Sequence, residues 1–294
     1  MHAIVIHEGG GPEVLRYEEV PDPEPGDGQV LVKVEAAAVN HYDLGVRANP
    51  GGSLPVIPGV DAAGTREDTG ERVLVTGQRG AYAELIAAPA DLVRPIPDSL
   101  DAATATALGV GYKTAWASLE AGGLERGDTL LVQAGSSGTG QAAIDIGRLL
   151  GATVYATAGP GKEQRLREIG AEPLAYDDPR LAELGADVVF DPVGGEVFER
   201  SLAALGPGGR VVTPGALDSP VVSVNLWTLM GKGARIIGTG AAHTTTEQLD
   251  RMIELAGKGE LHPVIDRELP LSEAAEAHRL IEAREVFGKI VLRP

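Results

Sequence analysis

The sequence predicts an α/β protein of two domains, one β-rich and one a doubly wound parallel sheet with helices on both faces. Three observations carry this prediction. Residues 1–100 hold short apolar runs broken by Pro and Gly, and from about residue 129 such runs alternate with segments of helical period. A length of 294 residues also suits about two domains.

Residues 3–7 and 30–34 are apolar, β-rich runs separated by the turn signal Pro21-Asp22-Pro23-Glu24-Pro25-Gly26. Residues 72–75 and 81–87 read as further strands, and no amphipathic helix is expected before about Asp101. Residues 129–134 form a continuous apolar run, as a strand buried on both faces requires. A Gly-rich turn then leads to a helix over 141–150. There Ala142, Ile146, Leu149 and Leu150 fall at helical spacing, while Asp145 and Arg148 point elsewhere. The alternation continues with a strand at 153–157, a helix near 162–169, a strand at 187–190, a helix near 196–205 and strands at 210–213 and 235–238. Helices around 247–256 and 272–283 and a strand at 289–292 end the chain. A β-rich start closes more easily with a returning C-terminal segment. One discontinuous domain, 1–108 plus 242–294, is therefore expected, with 109–241 as the α/β domain.

Composition narrows the function. Aromatic residues are only 4% of the chain against 43% hydrophobic residues, so the core is expected to be Ala, Val, Leu and Ile. The net charge of −17 disfavours nucleic acid and anionic membrane surfaces. No run approaches the ~20 apolar residues of a membrane span. The N-terminal residues lack a signal-peptide pattern, so a cytoplasmic protein is expected. There are no cysteines, which removes disulfides, thiol nucleophiles and Cys-based zinc sites, and the six His are scattered. No metal site is expected.

The segment Gly135-Ser136-Ser137-Gly138-Thr139-Gly140 leaves a strand and opens a helix, the context a dinucleotide fingerprint requires. Its glycines let backbone approach a pyrophosphate, and the helix N-terminus supplies amide N–H groups and partial positive charge. An ordinary tight turn is the alternative, and strand, turn, helix and second strand within about thirty residues outweigh it. Ser137 replaces the middle glycine. An acid at the end of the second strand would bind the ribose of NAD. Here Thr157-Ala158-Gly159 ends the strand and Lys162 and Arg165 follow, so NADPH is the expected cofactor. Solvated helix residues are the competing reading of both cations. The strand Ala234-Arg235-Ile236-Ile237-Gly238 would be an apolar sheet edge, which predicts a homodimer paired through it.

Over nearly its whole length the sequence resembles the zinc-free medium-chain dehydrogenases/reductases, particularly the quinone oxidoreductases. Asn40-His41-Tyr42-Asp43 resembles the family's N-x-x-D motif, and Pro58-Gly59-Val60-Asp61-Ala62-Ala63-Gly64 its P-G-x-D-x-x-G motif. Gly80-Ala81-Tyr82-Ala83-Glu84, Tyr112-Lys113-Thr114-Ala115, Asp191-Pro192-Val193-Gly194-Gly195 and Gly288-Lys289-Ile290-Val291-Leu292 continue the series in order. The resemblance implies a GroES-like catalytic domain, a Rossmann domain and a cofactor in the cleft. It also implies that Asn40 and Thr114 lie near the nicotinamide with Gly215 behind them. Lys162 and Tyr176 would face the 2′-phosphate, and Lys289 would close the site. Zinc-dependent relatives carry Cys where Asn40 and Val110 stand and His where Val60 stands, so metal-free chemistry is implied. The stretch from Gly64 to Gly70 is much shorter than in the family.

Hydride transfer needs the nicotinamide held near an electrophilic carbon in a water-excluding pocket. A quinone needs no placed acid, whereas reducing an enone or enoyl thioester benefits from one. Tyr42 is the candidate donor, or else a packing aromatic, and His41 is second. Asp61 is expected to hold the site's loop, and His278 to pack or to face solvent. Three functions are open at this point: an NADPH:quinone reductase, an enoyl or enone reductase, and a non-enzymatic NADPH-binding protein.

Overall fold

The computed structural model describes residues 1–52 and 54–294, with Ala242 described by its backbone alone. Two units emerge. The first comprises Met1–Val110, Asp250–Gly259 and Pro263–Pro294; the second comprises Gly111–Leu249 and Glu260–His262. Residues 242–249 and 260–262 thus fall with the second unit, where the sequence had placed them with the first.

In the first unit β1 (His2–Val5) pairs antiparallel with β2 (Arg16–Glu19). A seven-stranded sheet holds β3 (Gln29–Ala38), β4 (Asp61–Arg66), β5 (Arg72–Thr76), β6 (Leu85–Pro89) and β7 (Val93–Pro95). The helix α1 (His41–Ala48) intervenes between β3 and β4, and α2 (Ala102–Ala107) follows β7. Alternate strand residues point to one face. Ile4, Val32, Val34, Ile86, Tyr82, Ile290 and Leu292 meet there in one buried cluster.

The helix α1 lies in the stretch before Asp101 where no amphipathic helix is expected. Its apolar positions are few, so hydrophobic period is silent, and its start is set by chemistry instead. The Asp43 carboxylate accepts the Asn40 N–H at 2.8 Å, the backward half of a capping box. The short Gly64–Gly70 stretch is a plain hairpin. Arg66 and Glu71 pair by backbone, the Gly70 N–H reaches the Arg66 carbonyl, and Gly70 takes φ 73°, which glycine adopts freely.

The second unit begins with α3 (Lys113–Ala121) and then alternates strand and helix. Its elements are β8 (Thr129–Val132), α4 (Gly138–Leu150), β9 (Thr153–Thr157), α5 (Glu163–Glu168), β10 (Glu172–Leu174), β11 (Ala186–Phe190), α6 (Gly195–Ala204), β12 (Leu205–Thr213), α7 (Leu226–Lys232) and β13 (Arg235–Gly238). The six strands lie in the order β10-β9-β8-β11-β12-β13, every pair parallel. Counted within this sheet the order is 3-2-1-4-5-6, the doubly wound Rossmann arrangement whose order reverses beside the first strand, β8. The Gly-rich turn follows β8 directly. Then α8 (Thr246–Gly257) runs from the second unit into the first. In the first unit β14 (Ile265–Pro270), α9 (Ala274–Glu282) and β15 (Lys289–Arg293) return the chain to the sheet, β15 pairing with β3 and β14.

Candidate active site

In the first unit Asn40 is buried at the start of α1 with its amide oriented by its partners. Its Nδ2 donates to Asp61 Oδ2 at 2.9 Å, and its Oδ1 accepts from Lys289 Nζ at 2.5 Å. Lys289 arrives on β15, is itself buried, and also donates to the Val39 carbonyl. Asp61, fully buried, further accepts the Thr76 hydroxyl at 2.6 Å and the Val110 N–H at 3.0 Å. A Cβ at Gly109 would lie 2.1 Å from Asp61 Oδ1, so only glycine lets that backbone pass. Burial pushes the Lys289 ammonium down from its ordinary value, opposed by Asp61 and Asp43. Asn40, Asp61 and Lys289 therefore form one buried hydrogen-bonded knot, in which Asp61 holds Asn40, Thr76 and the Val110 backbone.

A second buried chain starts from Asp43, which the sequence had left without a role. Tyr82 Oη donates to Asp43 Oδ2 at 3.2 Å and lies 3.4 Å from His278 Nε2, while Arg47 Nη1 lies 3.3 Å from His278 Nδ1. A guanidinium can only donate, so Nδ1 accepts and Nε2 carries the ring proton. Burial and then Arg47 push His278 down to about 3, so the ring is neutral. Burial pushes Asp43 up to about 7 against the Asn40 N–H. Arg47 finally meets Glu282 at 2.5 Å. Asp43 and Tyr82 each sit in a motif, but Arg47, His278 and Glu282 do not, so their linkage is invisible in the sequence; His278 is fully buried and faces no solvent. Tyr42 is 49% exposed on α1 and accepts from Arg79 Nη2 at 3.4 Å. His41, beside it, is exposed.

In the second unit the turn after β8 is built for close backbone approach. Ala134 takes φ 52°, and the Gly135 N–H donates to the Thr157 carbonyl at 2.7 Å. A Cβ at Gly140 would lie 2.2 Å from the Ala134 carbonyl oxygen, and one at Gly135 2.8 Å from Ala156 Cβ. Ser137 caps α4, its Oγ accepting the Gly140 N–H at 3.0 Å. The remaining first-turn amides, at Gly138 and Thr139, are the donors a helix leaves for an anion. Lys162 precedes α5 and donates from Nζ to Ser136 Oγ at 3.3 Å, so a cation lies against the turn.

Three other expected residues are placed less directly. Tyr176 is half-buried in the turn after β10, and its carbonyl accepts Arg200 Nη1. Gly215 is exposed beyond β12, where its carbonyl accepts the Thr213 hydroxyl. Thr114 is buried in α3. Beneath the turn lies a buried network of side chains distant in sequence. Thr157 Oγ1 donates to Gln133 Oε1 at 2.5 Å, Gln133 Nε2 to Ser201 Oγ at 3.1 Å, and Ser201 to Asp191 Oδ2 at 2.7 Å. Asp191 also accepts the Val193 and Gly194 N–H groups. The motif beginning at Asp191 was its only trace in the sequence.

Comparison with known proteins agrees with this architecture. Residues 26–98 match the alcohol dehydrogenase GroES-like domain, and residues 169–292 match the zinc-binding dehydrogenase domain. A mouse quinone oxidoreductase is 33% identical over 99% of this chain and 97% of its own length. Among solved structures, an NAD-dependent alcohol dehydrogenase superposes with a TM-score of 0.93 at 32% identity, covering all of both chains. A mycobacterial protein complexed with NADPH gives 0.88 at 30% identity, again covering all of both chains. Among the described residues no helix is long and apolar enough to cross a membrane.

Proposed function

Since this chain belongs to the quinone oxidoreductase-like medium-chain dehydrogenase/reductase family, we propose that it reduces quinones with NADPH and without zinc. The observation that carries the cofactor reading is Lys162 Nζ against Ser136 at 3.3 Å, on a strand end without an acid. A dinucleotide suits the residues present: first-turn amides of α4, a turn with no room for a Cβ at Gly140, and a cation beside it. Gly135, Ser136, Ser137, Gly138, Thr139 and Gly140 would hold the pyrophosphate, and Lys162 with Tyr176 the 2′-phosphate. Thr114 and Gly215 are assigned to the nicotinamide end.

When bound, NADPH supplies the hydride. Lys289 and Asp61 lock the Asn40 amide from opposite sides, so its orientation costs nothing to impose during reaction. Tyr42 is assigned as the proton donor. Arg79 donates to its oxygen, which leaves the phenol hydrogen to give away and places a guanidinium where phenolate charge would form. This pair also favours a second reading, reduction of an enone or enoyl thioester, where a placed proton matters more. The description of one matching domain implies zinc, and the residues do not suit it. The Asn40 oxygen already takes an ammonium, and Val60 and Val110 offer no donor atom. A homodimer through β13 belongs to the same proposal, supported by its place at the sheet edge.

The test is turnover of NADPH with a panel of quinones, enones and 2-enoyl thioesters, before and after EDTA, with elemental analysis of the purified protein. Turnover of quinones that survives chelation is expected. Tightly bound stoichiometric zinc whose removal stops turnover overturns the metal-free reading, and turnover of thioesters alone selects the second reading.

A further inference from the structure

Gln141 is the fourth residue of α4 and only 4% exposed, yet neither Oε1 nor Nε2 has a hydrogen-bond partner. Among the described residues it is the one side chain with both ends so orphaned. Burying an unpaired amide is expensive, and such groups are rare unless a partner arrives later.

Its direction can be read from its neighbours. Gly138, Gln141 and Asp145 share one stripe of α4 at i, i+3 and i+7. Asp145 Oδ2 accepts the Tyr112 hydroxyl at 2.7 Å, and a Cβ at Gly111 would lie 3.6 Å from the Gly138 carbonyl oxygen. The stripe therefore faces residues 111–112, which lead into α3. That helix packs on β11 and β12, whereas α4 packs on β8 and β9. Gln141 thus looks away from β9 and Lys162, toward the β11 side of the switch point. Helical side chains lean toward the N-terminus, here toward the Gly-rich turn.

A dinucleotide that lies across this turn with its adenosine at β9 carries its second nucleotide toward β11. Phosphate oxygens only accept hydrogen bonds, so a pyrophosphate would satisfy Nε2 and leave Oε1 unpaired. A sugar hydroxyl both donates and accepts. We infer that the Gln141 carboxamide binds the ribose hydroxyls of the nicotinamide half of the cofactor. This rests on the dinucleotide reading above, and it adds a contact on the side of the turn opposite Lys162.

The test compares wild type with Gln141→Met, close in length and shape, and with Gln141→Leu as a second variant. Calorimetry would measure binding of NADPH, of 2′-phospho-ADP-ribose, which keeps the second ribose, and of 2′-phospho-ADP, which keeps both bridging phosphates but lacks that ribose. If NADH is the tighter ligand, NADH, ADP-ribose and ADP replace them. Roughly tenfold weaker binding of the first two ligands with the third unchanged is expected, as loss of a paired donor and acceptor implies. The melting temperature of the ligand-free variants should rise, because an unpaired buried amide has been removed. Equal weakening of all three ligands, no weakening, or weakening of the intact cofactor alone overturns the assignment. A fall in melting temperature with unchanged binding means a structural glutamine satisfied by buried water, and overturns it too. Failure of wild type to bind any of the three instead overturns the dinucleotide reading itself.

Discussion

A single cation is expected to decide cofactor choice. A Lys–phosphate contact at a partly exposed site is a charge-assisted bond worth about 1.5–3 kcal/mol, or roughly ten- to a hundredfold in affinity. Lys162→Ala should weaken NADPH by that factor and leave NADH nearly unchanged, and raised salt should narrow the preference in wild type. Binding constants at two ionic strengths check this; equal affinity of wild type for both cofactors would remove the 2′-phosphate site. At the same scale, Asp43 makes stability depend on pH. Its native value of about 7 lies above the roughly 4 of an unfolded Asp. The native state therefore binds the extra proton. The resulting stability is complete below pH ~4 and is lost as pH rises through about 7. Asp43→Asn removes that loss. Urea unfolding at pH 5 and pH 8 should show wild type falling relative to the variant by on the order of 2–4 kcal/mol. Parallel behaviour of the two proteins would show that Asp43 is ionised at both.

At the scale of elements, the turn between β8 and α4 is where packing leaves the backbone least room. The backbone of Ala134 leaves a Cβ at Gly140 only 2.2 Å, and a carbonyl oxygen cannot rotate aside as a side-chain tip can. Gly140→Ala must therefore shift the turn. A cost of about 1–3 kcal/mol in stability is expected, with loss of cofactor affinity as the amides are displaced. Gly159→Ala, where a Cβ meets nothing within 4 Å, is the control and should be neutral. Denaturation and cofactor titration of both variants decide it; a fully active, fully stable Gly140→Ala would mean the turn relaxes freely. The helix α1 shows the reverse case, an element made by local hydrogen bonds rather than apolar period. It sets Asn40, Tyr42 and Asp43 within one turn of each other.

For the whole molecule, assembly is expected to turn on one edge of the parallel sheet. The strand β13 ends the parallel sheet with Ile236 41% exposed. Just before it Leu226, Trp227 and Met230 on α7 are each at least 60% exposed. An unpaired edge beside a run of exposed apolar side chains is costly to leave in water. Two-fold pairing of β13 with its copy would close the edge and would bring the same helix from each chain toward the interface. Ile237→Lys should give monomers in light scattering, while wild type should be dimeric at micromolar concentration. A monomeric wild type would refute the pairing.

Local chemistry and period were enough to reveal the parallel sheet, the Gly-rich turn and the acid-free end of β9. Apolar runs and glycine positions follow from backbone geometry that is the same in any chain. The sequence motifs also picked out Asn40, Asp61 and Lys289, each with a separate expected role. Only the tertiary structure decided how they act. Lys289 lies 249 residues from Asn40, and whether its ammonium is free or spent on that amide depends on how β15 pairs with β3. The same holds for the Tyr82–His278 contact, 196 residues apart, and for the orphaned Gln141, whose neighbours come from outside its helix. Hydrogen-bond partners and desolvation are properties of packed neighbours, and a linear pattern records neighbours only within a few residues. The α/β class and the Gly-rich turn were therefore legible in the sequence, while the charge state and orientation of the groups around them were set by the fold.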